Sequence, residues 1–223
     1  VAGRILSCRL QRREDPAGLS EAETSLLQSL RAAVHTEEEA GEDGDLVRTA
    51  AVDAVSTIAA SGEDGALCTM SRGLLLLRPI AAAAFTAPQS SMQERRQISA
   101  LHCLASVARS ARPEAATWLE EDLRDAFHDS IHQDSTCAEA IWRLLQRSGI
   151  SFLELRIAVY RLLSGLCQRG WLAEEVCSHE ALLTWLLSPE AEPSSDGLLG
   201  LLDSPGTPPL DQPVPRAAMG RSL

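Results

Sequence analysis

Three twelve-residue segments of this chain superimpose without a gap, and that repetition constrains its fold more than any other feature. They are Arg48 to Ala59 (RTAAVDAVSTIA), Gln97 to Ala108 (QISALHCLASVA) and Arg156 to Cys167 (RIAVYRLLSGLC). Val52, Leu101 and Tyr160 share one column, Val55, Leu104 and Leu163 the next, and Ile58, Val107 and Leu166 a third. Ala51, Ala100 and the larger Val159 precede the first column. Apolar residues three apart, with small neighbours, make a wide buried stripe on a helix rather than the alternation of a strand. The segments start 49 and 59 residues apart, slightly longer than the ~40–47 residues of HEAT and armadillo repeats, and the 114–150 region reads as an insertion that lengthens the second interval.

Composition points to the same class. Among 223 residues there are 34 Leu and 32 Ala against 9 Val and 8 Ile, and 4% are aromatic, so helix formers dominate and the residues that fill pleated sheets are scarce. Ser20 and Glu23 have the spacing of a capping box ahead of Leu26, Leu27, Leu30 and Val34, which predicts a helix over 20–35. The acidic run from Glu37 to Asp45, broken by Gly41 and Gly44, reads as a solvated loop. Further helical stripes run through Glu114 to Ser130, Cys137 to Arg147 and Glu174 to Leu187. The expected fold is therefore all-α, an armadillo/HEAT-like solenoid of stacked helical hairpins over 1–188, each hairpin covering its neighbour's apolar face. The start at Val1, with Arg4, Arg9, Arg12 and Arg13 around Ile5, Leu6 and Leu10, reads as the inside of a helix and hence as a piece of a longer array. Seven of the 11 prolines lie between Pro189 and Pro215, so 189–223 is expected to be a disordered tail rich in Pro, Ser and Gly.

A net charge of −11 argues against binding a nucleic acid backbone or an anionic membrane, either of which needs a cationic surface. The expected partner is a protein. All 20 basic residues are Arg, which leaves no ε-amine for Schiff-base chemistry. The longest apolar stretch, Gly73 to Phe85, is interrupted by Arg78 and Pro79 and is shorter than the ~20 residues of a membrane span. Six dispersed cysteines without a C-x-x-C pair read as reduced, buried thiols of a cytoplasmic protein, with the nucleus as a second expected compartment. His128 and His132 lie one helical turn apart with Cys137 behind, but Asp129 stands where a zinc protease needs Glu. Gly62 to Gly65 lacks the Lys and glycine pattern of a phosphate loop, and Ser164-Gly165 is no nucleophile elbow. The sequence therefore predicts neither enzyme, metal nor cofactor.

The order of features from about Gln93 to Leu187 resembles a known family. Ile98 to Ala108 (ISALHCLASVA), the long insert with Trp118 and Phe127, Leu153 to Leu163 (LELRIAVYRLL) and the Gly170-Trp171-Leu172 motif are similar to the C-terminal half of the 26S proteasome non-ATPase regulatory subunit 5 family. The earlier block 46–59 is also similar, and the resemblance covers about 20–188. It departs after Leu187, where the family continues in helical sequence and this chain turns Pro-rich; the family's N-terminal repeats are also missing. The resemblance implies an armadillo/HEAT-like chaperone that holds ATPase subunits while the base of the proteasome regulatory particle assembles, with no catalysis and no cofactor. The alternative expectation is a general armadillo/HEAT scaffold or adaptor in another intracellular pathway. Asp53, His102 and Arg161 follow the first buried column by one residue, about 100° round the helix, and are the predicted partner-binding positions.

Overall fold

A computed structural model describes residues 21–35, 41–62, 65, 66, 69, 76–109, 117–131, 135–147 and 152–188, with side chains for all of these except 117–120 and 152. The described residues hold nine helices and no strand, an all-α arrangement. The helices are α1 (Glu21–Val34), α2 (Gly41–Ala59), α3 (Leu77–Phe85), α4 (Ser91–Arg109), α5 (Thr117–Ser130), α6 (Cys137–Leu145), α7 (Phe152–Leu166), α8 (Gly170–Ser178) and α9 (Glu180–Leu187). The first compact unit runs to Leu183, and Thr184 begins a second, of which the end of α9 is described. The expected tail over 189–223 lies outside the described residues.

The three repeated segments become α2, α4 and α7, which form one row: α2 packs on α4, and α4 packs on α7. Their apolar columns are what the row buries. Val52, Val55 and Ile58 on α2, Leu101, Leu104 and Val107 on α4, and Leu163 and Leu166 on α7 are all core residues. Tyr160 departs from its column: it is only half-buried, its hydroxyl accepts a 2.9 Å hydrogen bond from Arg156, and Val159 beside it fills the core instead. A phenol keeps its polar end near a partner or water, so the smaller neighbour takes the apolar place.

At the α4–α7 contact the backbones come close. A Cβ at Gly165 would lie 3.0 Å from the Ala108 Cβ, 3.1 Å from the Arg109 Cγ and 3.2 Å from the Ala105 carbonyl oxygen, which is why small residues meet there. Arg169 donates a 2.7 Å hydrogen bond to the Ala108 carbonyl, and Arg109 reaches Ser164 at 3.3 Å. Gly165→Val should crowd this crossing and lower stability by about 2 kcal/mol, read as a fall in melting temperature. Gly165→Ala should cost less, since the helix propensity gained, about 1 kcal/mol, offsets part of the crowding. Equal losses in the two variants would show that side-chain volume does not limit the approach.

A second set of helices covers the row. α3 packs on α4 and on α5, while α6 packs on α7 and on α8. Phe127 of α5 is fully buried where three of these helices meet, its ring edge-on to Phe85 of α3 at 5.5 Å and to Trp171 of α8 at 6.3 Å.

Local differences from the sequence reading have physical causes. Gly41 to Asp45, expected as loop, is the opening of α2: Glu42 and Asp43 sit in its first turn, where carboxylates favour the positive helix end, and Gly41 holds φ 65°. Pro79 falls in the first turn of α3, where a missing N–H breaks no helical bond. The single stripe expected over Glu174 to Leu187 is cut at His179. The His179 Nδ1 accepts the Leu182 amide at 3.1 Å, serving as the cap that starts α9.

Candidate protein-binding face

Each helix of the row leaves one incompletely buried stripe at steps of three and four residues. On α2 it is Leu46, Ala50, Asp53 and Thr57; on α4, Arg95, Ser99, His102 and Ser106; on α7, Leu153, Ile157, Arg161 and Ser164. Side-chain contacts join the α2 and α4 stripes. An oxygen of the Asp53 carboxylate accepts from the Ser99 hydroxyl, and the other pairs with Arg95 at 3.2 Å. His102 faces Arg161 and Glu154 across the α4–α7 seam. The structure thus places all three predicted residues on one side of the row. It brings His102 within electrostatic reach of Arg161, while Asp53 engages α4 through Arg95 and Ser99.

These residues are not equivalent. Asp53 ties two helices together, so its role includes holding the row. Arg161 is exposed and its guanidinium is available to a partner. The His102 imidazole is held below its ordinary value of 6.5, first by burial and then by the Arg161 cation, with Glu154 acting in the opposite direction. Arg161→Gln removes the cation, so His102 should titrate closer to 6.5 when followed by NMR. An unchanged titration would place Arg161 out of reach. Because the unfolded chain binds this proton more readily than the folded one, His102 costs stability as pH falls through 6.5, and the cost should shrink in Arg161→Gln.

Apolar side chains that sequence reasoning had not singled out accompany these charges. Leu153 and Ile157 are 53% and 42% exposed on the α7 stripe, and Leu46 is 55% exposed on α2. Charged residues of both signs lie among or beside them: Glu42, Asp43, Asp53 and Glu154, with Arg95, Arg109 and Arg161. Apolar anchors within a mixed polar surround are what a protein interface presents.

Cys103 and Cys137 are buried free thiols: burial raises the first to about 12 and, with help from the Glu175 carboxylate, also raises the second. Cys167 and Cys177 are exposed, contrary to the expectation of buried thiols, while Cys8 and Cys68 lie outside the described residues. His128 packs its ring 6.3 Å from that of Trp171, and His132 lies outside the described residues. Among the described residues no three His, Cys, Asp or Glu side chains are grouped to hold a metal ion, and no helix is long and apolar enough to cross a membrane. Carboxylates on α6 and α8 fasten those two helices to each other: Glu175 accepts the Cys137 and Ala138 amides at 2.9 and 3.3 Å, and Glu139 meets the His179 Nε2 at 2.8 Å. No family model, no curated protein and no solved structure matches this chain.

Proposed function

We propose that the chain is a non-catalytic protein-binding scaffold, a solenoid of stacked helical hairpins whose working surface is the open side of α2, α4 and α7. The observation that supports this most is the adjacency of the three repeated helices, with Leu46, Leu153 and Ile157 exposed beside Asp53, His102 and Arg161. Within this reading, the resemblance over about 20–188 nominates a specific role, that of holding ATPase subunits during assembly of the base of the proteasome regulatory particle. The face is nearly balanced in charge, so contact would rest on apolar anchors and hydrogen bonds. The overall charge of −11 would chiefly speed the approach of a basic partner, and salt would slow it.

The test is co-purification of the folded chain with individual proteasomal ATPase subunits, without added nucleotide and over a range of salt. Expected are retention of at least one subunit and a modest loss at high salt. A folded chain that retains none would overturn the chaperone reading and leave the face to another protein partner in a general scaffold. Charge reversal separates the roles within the face. Arg161→Glu should weaken binding with little change in melting temperature, whereas Asp53→Lys should lower the melting temperature as well, because it opposes Arg95 and loses Ser99. If Arg161→Glu melts early and binds normally, Arg161 is structural and the face is misassigned.

A further inference from the structure

On the other side of α2, away from the open face, a cleft of about 160 Å³ lies among α1, α2, α3, the turn after α3, and α4. Its lining is apolar at Val34, Val52, Ala82, Ala83 and Pro88 and polar at Arg48, Arg96 and Gln93. Thus, in a chain of net charge −11, the lining named among the described residues has two guanidiniums and no carboxylate. Both are mostly withdrawn from water, with side chains 10% and 14% exposed.

A carboxylate beside them holds both in place. One oxygen of Asp45 takes Arg48 at 2.7 Å and Arg96 at 2.9 Å, and the other accepts from Gln93 at 3.2 Å. The Asp45 carboxyl is accordingly held below its ordinary value, chiefly by the Arg96 hydrogen bond, so it remains charged well into the acid range. Asp45 thus fixes two cations from different helices at the edge of an apolar pocket, and side chains fixed in advance lose little freedom when they bind.

Size selects the occupant. Pockets for drug-sized ligands and cofactors run from about 300 to 1,000 Å³, so this one is too small for a nucleotide and suits a single side chain. We propose that the cleft seats one Asp or Glu side chain of a protein partner, its carboxylate between Arg96 and Arg48 and its methylenes, with a small aliphatic neighbour, against Val52 and Ala83. Arginine pairs with carboxylates in a planar, two-point geometry, and the partial burial of both guanidiniums makes such a pair stronger than it would be on an open surface. The site is separate from the α2, α4 and α7 face, and its failure would leave that reading untouched.

The test uses the full chain and a fluorescein-labelled octapeptide with one glutamate among alanines and valines, together with its glutamine twin, read by anisotropy. The glutamate peptide should bind at least tenfold more tightly than the twin. Arg96→Gln should erase that difference. Because Arg96 also joins α4 to α2, a second variant, Ala83→Leu, fills the pocket from α3 and leaves both guanidiniums in place; it should abolish binding of the glutamate peptide while the circular dichroism spectrum is preserved. Equal binding of the two peptides, or unchanged binding in Ala83→Leu, overturns the proposal, as does undetectable binding of the glutamate peptide at millimolar concentration. Displacement of the peptide by micromolar inorganic phosphate would assign the cleft to phosphate instead.

Discussion

Replacing Phe127 with Ala should remove about 4 kcal/mol of stability from the unit that runs to Leu183, the largest loss expected from any single truncation of its core. Phe127 is the largest fully buried side chain, and its ring is the contact shared by α3, α5 and α8. Truncation forfeits the transfer energy of the ring, opens a cavity at a three-helix junction and breaks two edge-on aromatic contacts, each worth about 0.5–1.5 kcal/mol beyond its area. For a unit of this size the melting temperature should fall by roughly 8–16 °C. Phe127→Leu keeps most of the volume and should lose less than half as much. Trp171→Ala combined with Phe127→Ala should cost less than the sum of the two single changes, because both remove the same 6.3 Å contact. Strict additivity would mean that the two rings do not stabilise each other.

The row of α2, α4 and α7 was legible in the sequence because its signal is periodic: each buried column recurs at the same offset in three segments, and burial follows that offset at all but Tyr160. What covers the row was much less legible. α3 needs only the nine residues of Leu77–Phe85, and its place is set by contacts with α4 and α5 that no local pattern announces. The break at His179 was also hidden, since a histidine inside a helical stripe becomes a cap only when its ring turns back to the Leu182 amide, with Glu139 of another helix on its far nitrogen. The opening of α2 was misread because glycines and acidic residues signal a loop by composition, whereas here the carboxylates favour the helix start and Asp45 finds arginines on α2 and α4.

The candidate face divides in the same way. Position one residue past a buried column is a helical argument, and it placed Asp53, His102 and Arg161 on one side of the row. Their partners were not legible: Ser99 and Arg95 for Asp53, and Glu154 for His102, depend on how far each helix slides along its neighbour. Leu153 and Ile157 look like core residues in the sequence, and only the open side of α7 leaves them exposed.

The heads of the three repeated segments held a signal of another kind. Arg48, Gln97 and Arg156 share the column before the apolar ones, and all three are buried although polar. Gln97 shows what such a residue does. It is 1% exposed, its amide nitrogen donates to the carbonyls of Ala84 at 2.9 Å and Thr86 at 3.0 Å, and its oxygen accepts from Arg147 at 2.8 Å. The two carbonyls belong to the end of α3, where backbone acceptors have no partner within their own helix, and Arg147 follows the end of α6. One side chain therefore satisfies the end of α3 and holds the Arg147 guanidinium just beyond α6. Gln97→Met preserves the length and removes all three bonds, leaving the buried Ala84 carbonyl dry, and should cost about 3 kcal/mol, against the ~1 kcal/mol of a single exposed hydrogen bond. Because Arg147 contacts Gln97 only through the amide oxygen, Arg147→Met should cost less. In the Gln97→Met background it should cost less still, since the bond it would break is already gone. Hydrogen exchange should show the loss first in the amides of α3, whose end Gln97 holds. Protection of α3 that survives Gln97→Met, with melting unchanged, would mean that packing against α4 and α5 alone fixes that helix and that the buried amide is dispensable.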